Sequence, residues 1–243
     1  TDLYRDIRHD LSAQESMRLA TRMIVLQQEG LAELSPDLRA KTRVIYQSAR
    51  TVPPPPPLTS QYEVVVSGHL RQEKDPFCAA AALAHLPPQS RIRVKHLGGA
   101  MSEDMAREAR EWQRREPRYR WLGELPHGKA LRLLSRSRLM VISSRMEGGA
   151  NVVSEALAAG VPVIASKVSG NIGMLGRGYA GYYPVEDAAA LAALLWRAES
   201  DPQFYLRLKR QCAARSPLVQ PSREKHGLEK LLAEACRATQ AGS

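Results

Sequence analysis

The sequence predicts an α/β protein built on parallel, doubly wound sheets. Short apolar runs typical of buried strands alternate with amphipathic helical patterns, and the longest such series extends over about 150 residues. The composition agrees, because 44% hydrophobic and 25% charged residues in a chain of 243 are ordinary for a globular protein with a sizeable core. These observations predict Rossmann-like domains.

The first part of the chain predicts only a few elements. A helix is expected over 12–23, with Ser12 as its N-cap and Glu15 completing a capping box. Strands are expected at 23–27 and 43–47, with a second helix between them. Two strands are too few for an independent sheet, so this stretch is interpreted as the last part of a Rossmann-like domain.

A proline-rich segment divides the chain. Residues 51–60 include five consecutive prolines, which exclude helix and inner strand and favour an extended polyproline conformation. We interpret it as a linker between an N-terminal domain part (1–50) and a second domain (61–215). A ligand for an SH3-type domain is the alternative. Residues 216–243 are expected to hold a final helix, at about 223–236, and a tail.

The second domain is predicted to be complete. Strands are expected at 63–66, 91–97, 119–122, 139–142 and 161–165. Helices are expected at 76–85, 102–115, 127–136, 150–159, 187–199 and 202–213.

Composition narrows the function classes. The three cysteines, Cys78, Cys212 and Cys236, are scattered, which fits neither a disulfide framework nor a zinc site, and the reducing cytoplasm is the expected compartment. The net charge of +10 is compatible with phosphorylated ligands, whereas 5% aromatics argue against a single-stranded nucleic-acid binder. No run is long and apolar enough to predict a membrane span.

A glycine-bearing loop lies between the strand at 139–142 and the following helix. Gly148 and Gly149 allow close approach of a ligand, and the helix N-terminus offers amides to an anion. Glu147 on the loop and Glu155 in the helix suit hydroxyl groups of a sugar and a ribose. The alternative is a helix-start acid at Glu147 and a surface residue at Glu155.

The Glu-x7-Glu spacing, followed by Ala-Leu-Ala-Ala-Gly-Val-Pro-Val-Ile, resembles retaining glycosyltransferases of family 4. The resemblance implies a GT-B fold of two Rossmann-like domains, with the N-terminal one represented here only by its last part. It implies that Glu155 binds the ribose of a nucleotide donor and Glu147 its sugar. It also implies that five further residues line the donor: Gly148, Gly149, Ala150, Asn151 and Val152.

Residues 68–76 resemble the phosphate clamp of the same family, Gly-Arg-(x)4-Lys. Lys74 occupies the lysine position, but His69 stands where the family has arginine. Arg71 shares a face with His69 if the chain is extended and is the alternative second cation. The competing interpretation is a solvated loop in which Arg71 and Lys74 pair with the neighbouring acids.

A second departure lies at residues 169–176. Many family members have Gly-Gly-x-x-Glu here, whereas this chain has no glutamate in the segment. Asn171 and its glycine neighbours are expected either to border the sugar pocket or to form a surface turn.

Five segments together resemble the selenosugar synthase group of family 4: 1–6, 44–49, 68–76, 118–123 and 144–153. This resemblance implies transfer of N-acetylglucosamine from its UDP donor to the selenium of selenophosphate, with Lys74, Arg71 and Glu147 as catalytic residues. No Asp-x-Asp motif or acid cluster is present, so neither a cofactor nor an essential metal is expected.

The same resemblance implies that most of the acceptor domain precedes Thr1. The first residue is a threonine rather than a methionine, which agrees with this expectation. Asp2, Tyr4 and Arg5 would then be acceptor-side residues, or else ordinary residues leading into the first helix. Two other functions remain open. One is transfer to an oxygen acceptor such as a lipid or saccharide, and the other is a non-catalytic module that binds a sugar nucleotide.

Overall fold

The computed structural model describes residues 10–50 and 61–241. The first of these ranges contains a pair of parallel strands and three short helices: α1 (Leu11–Leu19), β1 (Met23–Val25), α2 (Glu29–Ala32), α3 (Pro36–Ala40) and β2 (Thr42–Val44). The two predicted strands are confirmed, each shorter than expected.

The start and end of α1 differ from the prediction. The N-cap is Asp10, whose Oδ1 accepts hydrogen bonds from the amides of Ser12 (3.0 Å) and Ala13 (3.1 Å). Ser12 is therefore inside the helix, and Glu15 pairs with Arg18 (2.7 Å) rather than closing a capping box. The carboxylate two residues upstream satisfies the free amides of the first turn, so the helix begins and ends earlier than the pattern suggested.

The single helix expected between β1 and β2 is two helices. Ser35 has an extended backbone (φ −64°, ψ 158°) and Pro36 begins α3. A proline disfavours the helical conformation of the residue before it, and it is well accommodated at the first helical position. These two effects interrupt the predicted helix.

The second range forms one six-stranded parallel sheet with helices around it. Its strands are β3 (Tyr62–Ser67), β4 (Ile92–Leu97), β5 (Tyr119–Trp121), β6 (Leu139–Ile142), β7 (Val163–Ser166) and β8 (Tyr182–Tyr183). Its helices are α4 (Cys78–Leu83), α5 (Glu103–Arg115), α6 (His127–Arg136), α7 (Asn151–Ala158), α8 (Ser169–Leu175), α9 (Ala188–Ser200), α10 (Pro202–Arg215) and α11 (Pro221–Ala241). Of these, β8 and α8 were not predicted.

The strand order is β5-β4-β3-β6-β7-β8. The order of the strands reverses between β3 and β6, which is the topological switch point of a doubly wound sheet. Val64 and Val65 in β3 and Ile164 in β7 are fully buried, as expected for strands covered by helices on both faces. Ligands of such sheets bind outside the carboxyl ends of the strands at this point.

The segment 169–176 is neither a surface turn nor a simple loop, since α8 occupies most of it. Gly170, Asn171 and Gly173 are buried. A Cβ atom at Gly170 would overlap the carbonyl of Glu147, and one at Gly173 would overlap the side chain of Gln27. Glycine disfavours a helix locally, but at these two positions of α8 a larger residue would collide with its neighbours.

Polar contacts join residues 10–50 to α11 and to the segment that follows α8. Glu29 pairs with Arg177 (2.6 Å), and Arg43 pairs with Glu234 of α11 (2.8 Å). The proposed linker, 51–60, lies outside the described residues. Within the described residues, none of the helices combines the length and the apolar character needed to cross a bilayer.

Candidate active site

The two predicted motifs meet at the switch point. The 68–76 loop leaves the carboxyl end of β3, and the loop carrying Glu147 leaves that of β6. Both line a small crevice, in which the Lys74 ammonium forms an ion pair with Glu147 Oε1. The hydroxyl of Ser144 donates to the same carboxylate oxygen (2.6 Å). The exposed fractions of the lysine and glutamate side chains are 23% and 8%, so the pair is largely shielded from water.

Backbone contacts fix the two loops to each other. The hydroxyl of Ser143 donates to the carbonyls of Lys74 and Asp75 (both 2.9 Å), and the amide of Arg145 donates to the carbonyl of Glu73 (2.8 Å). Lys74 therefore pairs with Glu147 rather than with either acid beside it. The solvated-loop interpretation does not hold for Lys74.

Asp75 ends the short 3₁₀ turn Gln72–Lys74 in a left-handed conformation (φ 43°). Burial raises the pKa of its carboxyl group, and the nearby Arg145 guanidinium partly opposes that shift. The left-handed backbone of Asp75 turns the chain towards α4.

His69 and Arg71 flank the crevice without lining it. Leu70, between them, is fully buried and forms a parallel bridge with Ala100, so its neighbours lie together on the more exposed side. His69 is exposed, whereas the Nε of Arg71 is buried and has no hydrogen-bond partner among the described residues. Arg71 therefore has unused hydrogen-bonding capacity beside the clamp.

The loop before α7 has the backbone expected of a ligand-binding turn. Gly149 has φ +149°, and a Cβ there would lie 2.6 Å from Leu26 Cβ, while Gly148 faces open space. Ala150 is the N-cap of α7 and provides no side-chain hydrogen bond. The amide of Val153 donates to the carbonyl of Ala150 (2.9 Å), whereas those of Asn151 and Val152 have no acceptor within the helix. This end of α7 is suited to an anion.

Glu155 is not a surface residue. Its side chain is 11% exposed, and its Oε1 accepts from Asn151 Nδ2 (3.1 Å) and lies 3.8 Å from His127 Nδ1. Burial raises the pKa of this carboxyl group, and the His127 ring partly opposes the shift. A carboxylate held in this way has lone pairs available for hydroxyl groups.

Three residues of this region escaped the sequence prediction. Ser144 supports Glu147, His127 approaches Glu155 from the start of α6, and His96 lines the crevice from β4. The only signal for His96 is a histidine in a strand of alternating apolar and basic residues that leads into Gly98 and Gly99. The sequence held no signal for the contacts of Ser144 and His127, because the fold brings their partners close.

The acceptor-side candidates Asp2, Tyr4 and Arg5 lie outside the described residues. Within 10–50 and 61–241, no three histidine, cysteine, aspartate or glutamate side chains are grouped closely enough to hold a metal ion. Cys78 and Cys212 are buried free thiols, and Cys236 is an exposed one.

Comparison with known proteins identifies the family. A profile described as Glycosyl transferases group 1 matches residues 52–215. The chain belongs to this family. A glycogen synthase of Mycobacterium tuberculosis is 32% identical to it over 171 residues, which cover 67% of this chain and 39% of that protein. The chain therefore spans well under half the length of this curated relative.

Two solved structures show the similarity of fold. The Anabaena protein HepE, in complex with UDP and glucose, has a TM-score of 0.77 and 19% identity and covers 90% of this chain, which spans 65% of HepE. Sucrose-phosphate synthase of Thermosynechococcus elongatus has a TM-score of 0.77 and 21% identity, with 99% and 65% coverage. These likenesses show a GT-B type α/β fold with a Rossmann-like parallel sheet.

Proposed function

We propose that this group 1 family member binds a UDP-sugar at the carboxyl ends of β3 and β6 and transfers its hexosyl group without a metal ion. The observation that carries the proposal is the Lys74–Glu147 pair beside the uncapped N-terminus of α7. It combines a cation, a carboxylate and free amides at the switch point, which suits a ligand with both phosphate and hydroxyl groups.

Each residue has a role in this proposal. Lys74 and the amides from Gly148 to Val152 stabilise the negative charge of the departing UDP, with Arg71 or His69 as the second cation. Glu147 positions the sugar and Glu155 holds the ribose hydroxyls. Two groups with free hydrogen-bonding capacity support these roles. The buried Arg71 Nε has no partner among the described residues, and the Glu155 carboxylate has one side-chain amide donor.

We further propose N-acetylglucosamine as the sugar and selenophosphate as the acceptor, on the resemblance of five sequence segments to selenosugar synthases. The selenium of selenophosphate is an anionic nucleophile and needs no strong general base. The bond from the anomeric carbon to UDP breaks, a carbon–selenium bond forms, and UDP leaves with the electron pair. Water then cleaves the phosphorus–selenium bond, which yields the selenosugar and phosphate.

A second candidate is transfer to an oxygen acceptor such as a saccharide. The 32% identity to a glycogen synthase favours it. In that case the donor site would be used in the same way, but a hydroxyl acceptor would need a group to receive its proton.

Product mass separates these functions. The full-length protein is incubated with UDP-N-acetylglucosamine and either selenophosphate or a panel of alcohols and saccharides, with and without EDTA. The proposal expects a selenosugar and UDP in equal amounts, unaffected by EDTA. A product only with an oxygen acceptor would establish the second candidate, and UDP binding with no product would indicate a non-catalytic module. Loss of turnover in EDTA would overturn metal independence.

A further inference from the structure

His96 lies beneath the clamp loop, at the floor of the crevice. It is 1% exposed and stands on β4, where its backbone pairs with Val66 of β3. One ring nitrogen, Nε2, is 3.1 Å from the carbonyl oxygen of Gly68, and the other, Nδ1, is 3.0 Å from the hydroxyl of Tyr119. Both polar atoms of a buried ring therefore have partners.

The acceptor at Nε2 assigns the tautomer. Burial lowers the pKa of His96 to about 4, although backbone hydrogen bonds with Gly68 and Pro76 oppose the shift, so the ring is neutral near neutral pH and carries one proton. A carbonyl can only accept, so the proton resides on Nε2 and is donated to Gly68. Nδ1 then accepts from Tyr119, which is also 1% exposed. The three groups form a hydrogen-bond chain with a single direction, from Tyr119 through His96 to Gly68.

Gly68 directly follows β3 and is the first residue of the 68–76 loop, which resembles the phosphate clamp. Its amide donates to the carbonyl of Leu97 (2.8 Å), and a Cβ on Gly98 would overlap its carbonyl. The side chain of Lys74 lies beside it, since Lys74 Cγ is 4.0 Å from the place of a Cβ on Gly68, and both residues line the same crevice. A shift of the Gly68 carbonyl would therefore alter the wall of the crevice next to Lys74.

We propose that His96, oriented by Tyr119, is a positioning residue that fixes the Gly68 peptide so that Lys74 is held where a diphosphate binds. The inference rests on the proposed function, because it assigns His96 to the diphosphate part of the donor site. In this role His96 does not contact the ligand, since both nitrogens of its ring have partners within the protein.

The test compares ligands that differ only in the diphosphate. Calorimetry on the full-length protein measures the dissociation constants of UDP and uridine for wild type, His96→Leu, His96→Gln and Tyr119→Phe. Gln retains an amide donor near the position of Nε2, so it is the conservative variant. We expect His96→Leu to weaken UDP about tenfold or more and to leave uridine within about twofold. His96→Gln should restore most of the affinity, and Tyr119→Phe should weaken UDP about threefold.

The outcomes separate the two proposals. If wild type binds no UDP, the proposed function fails. If wild type binds UDP and His96→Leu binds it equally well, the positioning role is overturned. Equal losses for UDP and uridine would also overturn it, because a general packing defect affects both ligands. If His96→Leu fails to fold, Tyr119→Phe is measured alone and combined with His96→Gln. The double variant should bind UDP as the His96→Gln variant does. A further loss of UDP affinity in the double variant would contradict the chain of hydrogen bonds.

Discussion

Two lysine–glutamate pairs of similar burial lie in different parts of the six-stranded sheet. Lys95 on β4 pairs with Glu63, near the amino end of β3, at 2.5 Å, and the exposed fractions of their side chains are 28% and 2%. Lys74 and Glu147, with 23% and 8% exposed, form the corresponding pair beyond the carboxyl ends. The first pair joins two adjacent strands of the core, whereas the second joins two loops around a crevice.

The surroundings of the pairs differ in how fully their polar groups are engaged. Toward the amino end, Arg118 makes a two-pronged contact with Glu116 (2.8 and 2.9 Å). At the carboxyl end, Arg71 Nε has no partner within the described chain, and no side chain caps the amides of Asn151 and Val152 at the start of α7. Glu63 Oε1 also lacks a donor in the described structure, but its side chain is 2% exposed and lies between two strands, whereas the groups at the carboxyl end border a crevice. Polar groups enclosed between strands contribute to the fold, and free groups beside a crevice remain available to a ligand. Stability and function should therefore respond to different substitutions.

The largest expected effect is on stability and comes from Lys95. Lys95→Ala leaves the Glu63 carboxylate, whose Oε1 already lacks a hydrogen-bond donor in the described structure, without its counter-ion. Removing one partner of a buried pair typically costs about 3–5 kcal/mol. Denaturant unfolding should show a loss near the lower end of that range, with UDP affinity unchanged in the folded protein. A matched Lys95→Ala, Glu63→Leu double variant should recover much of the stability.

Lys74→Ala should produce the opposite pattern. Glu147 keeps the Ser144 hydroxyl as a donor, so the loss of stability should be smaller than for Lys95→Ala. Transfer should fall by at least a hundredfold, because one charge contact to a departing group is typically worth about 3 kcal/mol. Steady-state turnover of the full-length enzyme measures this effect. Turnover within tenfold of wild type would remove Lys74 from the proposed mechanism.

The pH dependence of the free energy of unfolding should also differ between groups at the two ends of the sheet. Burial lowers the pKa of His96 from 6.5 to about 4. Between these values the unfolded chain binds a proton that the folded chain does not. The contribution of the neutral His96 ring to the free energy of unfolding is therefore fully present above pH 6.5 and is lost as the pH falls toward 4. The expected loss is about 3 kcal/mol.

Glu116 contributes in a lower range, because its hydrogen bonds from Arg118 lower its pKa below 4.5 and its contribution disappears only below that pH. The difference in unfolding free energy between wild type and His96→Gln, measured from pH 7 to 4, isolates the histidine. A difference that does not change over this range would contradict the buried, neutral ring.

Much of the sheet was predictable because β6 is a continuous apolar run, β3 and β7 contain such runs, and the first residues of β4 alternate between apolar and basic. The bounds of β4 and β6 match the predicted ranges within one residue. The helix α8 was not predictable, since two glycines in its seven residues disfavour a helix, and only the packing of Gly170 against Glu147 and of Gly173 against Gln27 explains them.

In the site, the spacing of Glu147 and Glu155 was visible in the sequence. The partner of Glu147 was not, because Lys74 lies 73 residues away and is brought to it by the switch point. The same reason explains why His96 was missed: its function depends on a carbonyl 28 residues earlier and a hydroxyl 23 residues later.

The most direct measurement compares two glutamates of similar burial at opposite ends of the sheet. Glu155 has 11% and Glu116 has 14% of its side chain exposed. Burial raises the pKa of Glu155, so its charge opposes folding at neutral pH, whereas Arg118 lowers that of Glu116, so its charge favours folding. UDP is titrated calorimetrically into full-length Glu155→Gln and Glu116→Gln proteins, and their unfolding is measured at pH 7.

The account predicts that Glu155→Gln weakens UDP binding about tenfold and leaves stability equal or slightly higher. It predicts that Glu116→Gln lowers stability by about 1 kcal/mol and leaves UDP binding unchanged. Equal UDP affinities of the two variants and wild type would contradict a nucleotide-sugar site at the carboxyl ends of β3 and β6.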